Sequence, residues 1–241
     1  MKVLVTGSDG FIGKNLIERL SRVDGIEVIK FNSACLLTDL EASIDQIEYV
    51  FHLAGVNRPL NEQDYFDVNS DFTLDLVNLF IKHNRYVPFL FSSSTQAELD
   101  NNYGKSKLSA ENHIINYSQS FSVPAFIYRL PGVFGKWSKP NYNSVIATWC
   151  FNILNDQPVS IDQSNKVLEL VYIDDVVESF FCKLKEENAD FNCQIPTKYS
   201  ETLGRILDLI KAFKASRENL LVPNVGAGFE RALYATYLSF M

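Results

Sequence analysis

Apolar residues along this chain come in two rhythms. In the first half, short unbroken apolar runs alternate with longer stretches in which apolar positions recur every three or four residues. The runs predict strands at 2–6, 27–31, 49–53, 89–93 and 125–130. The periodic stretches predict helices at 11–21, 40–46, 62–83 and 103–120. Unbroken apolar runs are the mark of strands buried on both faces, and strand–helix alternation implies a parallel sheet covered by helices. Right-handed crossovers turn that pattern into a doubly wound α/β fold, a Rossmann-like sheet with ligands at the C-terminal strand ends. Thr6, Leu53, Ser94 and Arg129 all fall at or near such ends.

The remainder reads differently. A turn-rich segment at 131–137 precedes a helix at 144–155, short strands near 159–161 and 169–172, and helices at 174–186 and 203–213. A dinucleotide-binding core over 1–130 is therefore expected, with a smaller substrate-binding lobe over 131–241 capping a cleft at the sheet edge.

Composition narrows the setting. A length of 241 residues suffices for one large core, and 46% hydrophobic with 21% charged residues is ordinary for a globular protein. The net charge of −7 argues against nucleic-acid or anionic-membrane partners. No apolar run is long enough to span a bilayer, and the chain starts with a strand rather than a signal peptide, so a cytoplasmic protein is expected. Cys35, Cys150, Cys182 and Cys193 are widely spaced and read as reduced. His52, His83 and His113 lack metal-ligand spacing, so no metal is expected; His52, ending an apolar strand, reads as a satisfied structural histidine.

The first strand runs straight into Gly7, Gly10 and Gly13, spaced G-x-x-G-x-x-G. Such glycines let the chain turn off a strand, approach a pyrophosphate and pack a helix on the sheet. The helix that follows, starting with Phe11, Ile12 and Lys14, offers free N–H groups and the positive end of its dipole to phosphates. An NAD site usually adds a carboxylate after the second strand to hold the ribose hydroxyls. Here Asn32 and Ser33 follow that strand, with Lys14 and Lys30 nearby, and none would repel a 2′-phosphate. NADP is therefore the expected cofactor.

A serine cluster, Ser92-Ser93-Ser94, ends the fourth strand, and Tyr103 and Lys107 follow four residues apart. Residues four apart share one helix face, so the ammonium can sit beside the phenol. A free phenol titrates near a pH of about 10, and a neighbouring cation lowers that value. Tyr103 then serves as a general acid or base near neutrality, with Ser94 holding the same substrate oxygen. Hydride from a dinucleotide on one side and an acidic phenol on the other is the chemistry of carbonyl reduction. Arg129, Lys136, Asn141 and Asn143, polar groups in the turns after the fifth strand, are candidates for substrate contact.

Together these residues resemble the extended short-chain dehydrogenase/reductase superfamily, essentially over the whole chain. The resemblance implies that Gly7–Gly13 form the cofactor loop, that Asp39 and Leu40 contact adenine, and that His52-Leu53-Ala54-Gly55 flank the cofactor. It also implies a structural role for Asn69 and a catalytic one for Ser94, Tyr103 and Lys107, the last two also touching cofactor. The late motif Val171-Tyr172-Ile173-Asp174-Asp175-Val176 is similar to one in sugar-nucleotide members.

The segments 53–59, 134–148 and 233–238 resemble more closely the bacterial capsule or O-antigen epimerase/reductases of the UDP-N-acetyl-L-fucosamine pathway. That likeness implies NADPH-dependent reduction of the C4 ketone of a UDP-2-acetamido-2,6-dideoxy-4-keto-hexose by a homodimer. In that family a C-terminal zinc cupin epimerises C3; this chain ends at Met241, where the cupin would begin, so reduction alone is expected of it, whether as a piece of a longer enzyme or a stand-alone reductase. Two alternatives stand beside this: a nucleotide-sugar 4-epimerase or dehydratase with bound NAD, and a non-catalytic dinucleotide-binding module.

Overall fold

The structure is a computed structural model describing residues 1–241. In chain order its first part contains β1 (Lys2–Thr6), α1 (Phe11–Leu20), β2 (Glu27–Phe31), α2 (Thr38–Glu41), β3 (Tyr49–His52), α3 (Phe72–Lys82), β4 (Phe89–Ser94), α4 (Asn102–Phe121) and β5 (Ala125–Leu130). There follow β6 (Gly132–Phe134), α5 (Val145–Leu154), β7 (Val167–Tyr172), α6 (Ile173–Cys182), β8 (Asp190–Cys193), β9 (Tyr199–Thr202), α7 (Leu203–Asn219) and α8 (Gly228–Leu238). None of the helices is long and apolar enough to cross a membrane.

The chain divides into two compact units. The first comprises Met1–Leu130 and Val177–Ile195; the latter stretch had been expected in the second lobe. Its sheet is parallel in the order β2-β1-β3-β4-β5-β8. The chain steps from β1 outward to β2, then returns across β1 to β3 and builds the other way. The order therefore reverses between β1 and β3, the place where open α/β sheets bind ligands. Leu4, Val50, Phe89, Phe91 and Ile127 of the strands pack against Leu76, Phe80, Ala110, Ile114 and Tyr117 of α3 and α4 in one dry layer. Burying a large apolar side chain of this kind contributes about 1.5–3 kcal/mol.

The second unit comprises Pro131–Val176 and Pro196–Met241. A three-stranded sheet, β6-β7-β9, carries α5, α7 and α8 on a core of Phe134, Trp149, Ile206, Phe213, Leu233 and Tyr237. α8 was not expected, yet Phe229, Leu233 and Tyr237 recur every fourth residue along it and are buried, the stripe that fixes a helix on a core. β8 and β9 were also missed, being short and half polar. The strand expected near 159–161 is irregular chain.

Two expected helices are broken. The 40–46 segment splits into α2 and a 3₁₀ turn, Ile44–Gln46. The long helix at 62–83 is instead a π-helical segment, Phe66–Asp71, feeding α3. Asn69 lies in that segment and spends its side-chain amide on the backbone of Val56, while Thr73 Oγ1 donates to the Asn69 carbonyl. A hydroxyl that bonds the carbonyl four residues back, as Thr73 does, bends a helix, and π-bulges gather at functional sites.

Candidate active site

The glycine loop follows β1 at the point of strand reversal. Gly7 has φ +64°, and a Cβ there would lie 2.8 Å from the backbone of Leu53 and Ala54. A Cβ on Gly13 would lie 2.3 Å from the Gly7 carbonyl oxygen, so α1 lies directly on the turn. α1 begins with no side-chain cap and no acidic residue in its first turn, leaving its N-terminal N–H groups open to an anion. The Ser8 hydroxyl in this loop is buried without a hydrogen-bond partner. An uncapped helix start, a tight glycine cradle and an orphaned hydroxyl fit a dinucleotide pyrophosphate.

Behind the loop, buried hydrogen bonds lock β1, β3 and the π-helical segment together. Thr6 Oγ1 accepts the N–H groups of Leu53 and Ala54 at 3.1 Å each, which leaves its proton for His52 Nδ1 at 2.8 Å. The ring proton of His52 is then on Nε2, which donates to Thr73 Oγ1 at 2.8 Å, and Thr73 donates to the Asn69 carbonyl at 2.6 Å. Burial holds His52 down at about 3, with the Lys107 charge adding to the effect, so the ring is neutral. His52 is thus the structural histidine expected.

The residues expected to carry the chemistry lie on β4 and α4. Asn101 caps α4 by accepting the Gly104 N–H at 2.8 Å, which starts the helix one residue before Tyr103. The Tyr103 ring packs against that of Tyr65, with centroids 5.8 Å apart. One turn on, Lys107 is buried; its Nζ donates to the Ser92 carbonyl at 2.9 Å and lies 4.6 Å from the centre of the Phe91 ring. A Cβ on Gly55 would lie 2.9 Å from Asn69 Oδ1 and 3.1 Å from Lys107 Nζ, which places the end of the β3 loop beside the ammonium. Burial draws that ammonium down to about 8, against the pull of Glu111 upward. Ser94 ends β4 and accepts the Gln96 N–H at 3.1 Å, capping the 3₁₀ turn Thr95–Glu98. That turn rests on α4 at Gly104, where a Cβ would lie 2.1 Å from the Gln96 carbonyl oxygen. Gly104, which the sequence pattern alone did not single out, leaves room for that turn.

Other expected site residues have different company. Arg129 was expected at substrate, but its guanidinium is committed to Glu111, at 2.6 Å from Nη2, and to Glu98, at 2.9 Å from Nη1. Buried Glu111 requires that countercharge, so Arg129 is a structural cation. Asp39 accepts the Leu36 N–H at 2.7 Å in its own turn, and Leu40 is packed in the core. In the second unit, Lys136 pairs with Asp174 at 3.2 Å, while Asn141 and Asn143 are exposed.

The end of β2 departs most from expectation. Asn32 Nδ2 donates to the Asp9 carboxylate at 2.6 Å, and Asn32 Oδ1 accepts the Ala34 N–H at 3.0 Å. Ser8 N–H, in turn, donates to the Phe31 carbonyl at 3.2 Å. A carboxylate therefore does stand at the end of β2, supplied from the glycine loop rather than from the strand itself.

Residues 3–193 match the NAD dependent epimerase/dehydratase family. The chain is 44% identical over 243 residues to the UDP-2-acetamido-2,6-beta-L-arabino-hexul-4-ose reductase of Pseudomonas aeruginosa, across 100% of this chain and 65% of that protein. It superposes on the capsular polysaccharide assembling protein CapF of Staphylococcus aureus with a TM-score of 0.89 and 34% identity, over 100% of this chain and 66% of that one. It spans less than two thirds of either relative. The UDP-glucuronic acid 4-epimerase of Bacillus cereus, solved in complex with NAD, shares the fold with a TM-score of 0.83 at 21% identity, over 100% of this chain and 96% of that one. These findings correct the expectation of NADP: the family is described as NAD dependent and this solved neighbour holds NAD. Asp9 supplies a carboxylate at the end of β2, which a search confined to the residues after β2 overlooks, and a negative charge there is unfavourable to a 2′-phosphate.

Proposed function

This chain belongs to the NAD dependent epimerase/dehydratase family, and we propose that it reduces the C4 ketone of a UDP-2-acetamido-2,6-dideoxy-4-keto-hexose at the expense of NADH. The observation that carries this reading is an intact Ser94, Tyr103 and Lys107 set in a chain 44% identical throughout to a UDP-2-acetamido-2,6-beta-L-arabino-hexul-4-ose reductase.

The loop from Gly7 to Gly13, with the Ser8 hydroxyl and the first residues of α1 (Phe11, Ile12 and Lys14), would hold the pyrophosphate. Asp9 and Asn32 would hold the adenosine ribose, with Leu53, Ala54 and Gly55 along the dinucleotide. When bound, the reduced dinucleotide supplies hydride to C4. Ser94 orients the C4 oxygen, and Tyr103 gives it the proton that completes the alcohol; solvent then restores that proton. Lys107, buried and fixed to the Ser92 carbonyl, holds positive charge beside Tyr103 and so favours release of the phenolic proton. In the second unit, Lys136, Asn141 and Asn143 are proposed contacts for the sugar nucleotide. A cytoplasmic homodimer belongs to the same proposal, with sedimentation as its test.

The deciding experiment incubates the protein with NADH and a panel of UDP-4-keto sugars while absorbance of the reduced nicotinamide is followed. Consumption of NADH with the 4-keto-6-deoxy-N-acetylhexosamine is expected. No consumption with any 4-keto sugar overturns the reading. Interconversion of C4 epimers without net consumption of NADH selects the 4-epimerase, a second reading favoured by the fold shared with the Bacillus cereus enzyme.

A further inference from the structure

Glu111 has almost no access to water and lies one turn beyond Lys107 on α4. A charge buried in this way persists only when it is paired and hydrogen-bonded. Arg129 Nε donates to both carboxylate oxygens at 2.9 and 3.2 Å, Arg129 Nη2 donates to Oε2 at 2.6 Å, and the Ser93 hydroxyl donates to Oε1. The carboxylate thereby joins α4, β4 and β5. Ser93 stands between Ser92, whose carbonyl holds Lys107, and Ser94. The reaction described above leaves this group without a task.

We propose that Glu111 is a positioning residue: its carboxylate, anchored from behind by Arg129, fixes Ser93 and the strand residues on either side of it, and so holds the Ser92 carbonyl against Lys107 and a negative charge one turn from that ammonium. The inference rests on reading Tyr103 and Lys107 as the proton-transfer pair. Lys107 faces the Phe91 ring and the Ser92 carbonyl from β4, neutral His52 from β3, and the Asn69 side chain beside Gly55. From its own helix it faces Tyr103 and, at i+4, Glu111. Glu111 is the negative charge among these groups, and it pulls Lys107 upward while burial pulls it downward to about 8. On the far side, Glu111 meets Arg129, which also reaches exposed Glu98.

The test is Glu111→Gln, which keeps shape and removes charge. Glu111→Gln with Arg129→Met accompanies it, because removing both members of a buried pair avoids stranding one charge. Two quantities are read: the titration of Lys107 by ¹³C NMR of labelled lysine, assigned through Lys107→Arg, and the alkaline limb of kcat/KM for keto-sugar reduction. Reduction needs the protonated lysine, so lowering its pKa shifts that limb toward lower pH. Both quantities should move by about one pH unit toward acid in Glu111→Gln, the usual scale of one nearby charge, and by less in the double variant, where the opposing Arg129 charge is removed as well. A purely structural role would lower stability and leave the titration where it was. If Lys107 titrates at the wild-type pH in a folded variant, the proposal is overturned while the reductase reading stands. If the NMR titration moves but the wild-type protein reduces no keto sugar, the coupling of Glu111 to Lys107 stands and the reductase reading falls.

Discussion

Lys107 Nζ donates to the carbonyl of Ser92 at 2.9 Å, tying the second turn of α4 to the strand that ends in Ser94. The bond fixes the ammonium beneath the site, where burial has stripped it of water. Such a cation acts on its neighbours with little screening, since the effective dielectric around it is far below that of water. Tyr103, the proposed proton donor one turn earlier, is the residue on which that field is expected to act.

Tyr103→Phe keeps the ring against Tyr65 and removes the hydroxyl proposed as proton donor. A loss of about 10²–10⁴ in kcat is expected, the usual worth of general acid catalysis, with dinucleotide binding retained. Steady-state kinetics and dinucleotide titration check it; turnover at the wild-type rate would remove Tyr103 from the chemistry.

Gly104→Ala separates local propensity from tertiary fit. Alanine in a helix interior is ordinarily better than glycine by about 1 kcal/mol. Here the added methyl group would lie 2.1 Å from the Gln96 carbonyl oxygen and 2.6 Å from that of Leu99. A net destabilisation of about 1–3 kcal/mol, typical of overpacking, is expected instead, together with a fall in kcat as the turn after Ser94 is pushed away. Urea unfolding gives the sign directly, and a more stable variant would contradict the packing described.

Asp9→Asn removes the carboxylate at the end of β2. The preference for NADH over NADPH, measured as a ratio of kcat/KM values, should fall about tenfold, the effect of roughly 1.4 kcal/mol of lost repulsion. An unchanged ratio would show that Asp9 does not face the adenosine ribose.

His52 sets a pH dependence of stability. An unfolded histidine binds its proton near 6.5, whereas the buried one resists until about 3. Between those values the unfolded chain binds more protons, so stability rises with pH and is fully present above about 6.5. Below that, a loss of about 1.4 kcal/mol per pH unit is expected from this group. Unfolding measured at several pH values should show the slope in the wild type and not in His52→Gln; equal slopes would assign the acid sensitivity elsewhere.

Much of the first unit was legible because its signals are local. Unbroken apolar runs marked β1 to β5, and the glycines and Tyr103–Lys107 spacing marked the loop and the α4 face, since each depends on residues close in sequence. Those patterns also pointed to a doubly wound fold, because crossovers have one hand, while the strand order came from the structure. Long-range contacts decided the rest. Only in the folded chain does Asp9 reach Asn32, across 23 residues, and change the reading of the cofactor loop. Only there does Glu111 meet Arg129 and take it away from substrate, across 18 residues. Asn69, in a π-helical stretch of a helix that periodicity made continuous, spends its amide on the Val56 backbone across 13 residues. Propensity and spacing act within a few residues, whereas the burial of charge is settled by whichever distant group the fold brings within hydrogen-bonding reach.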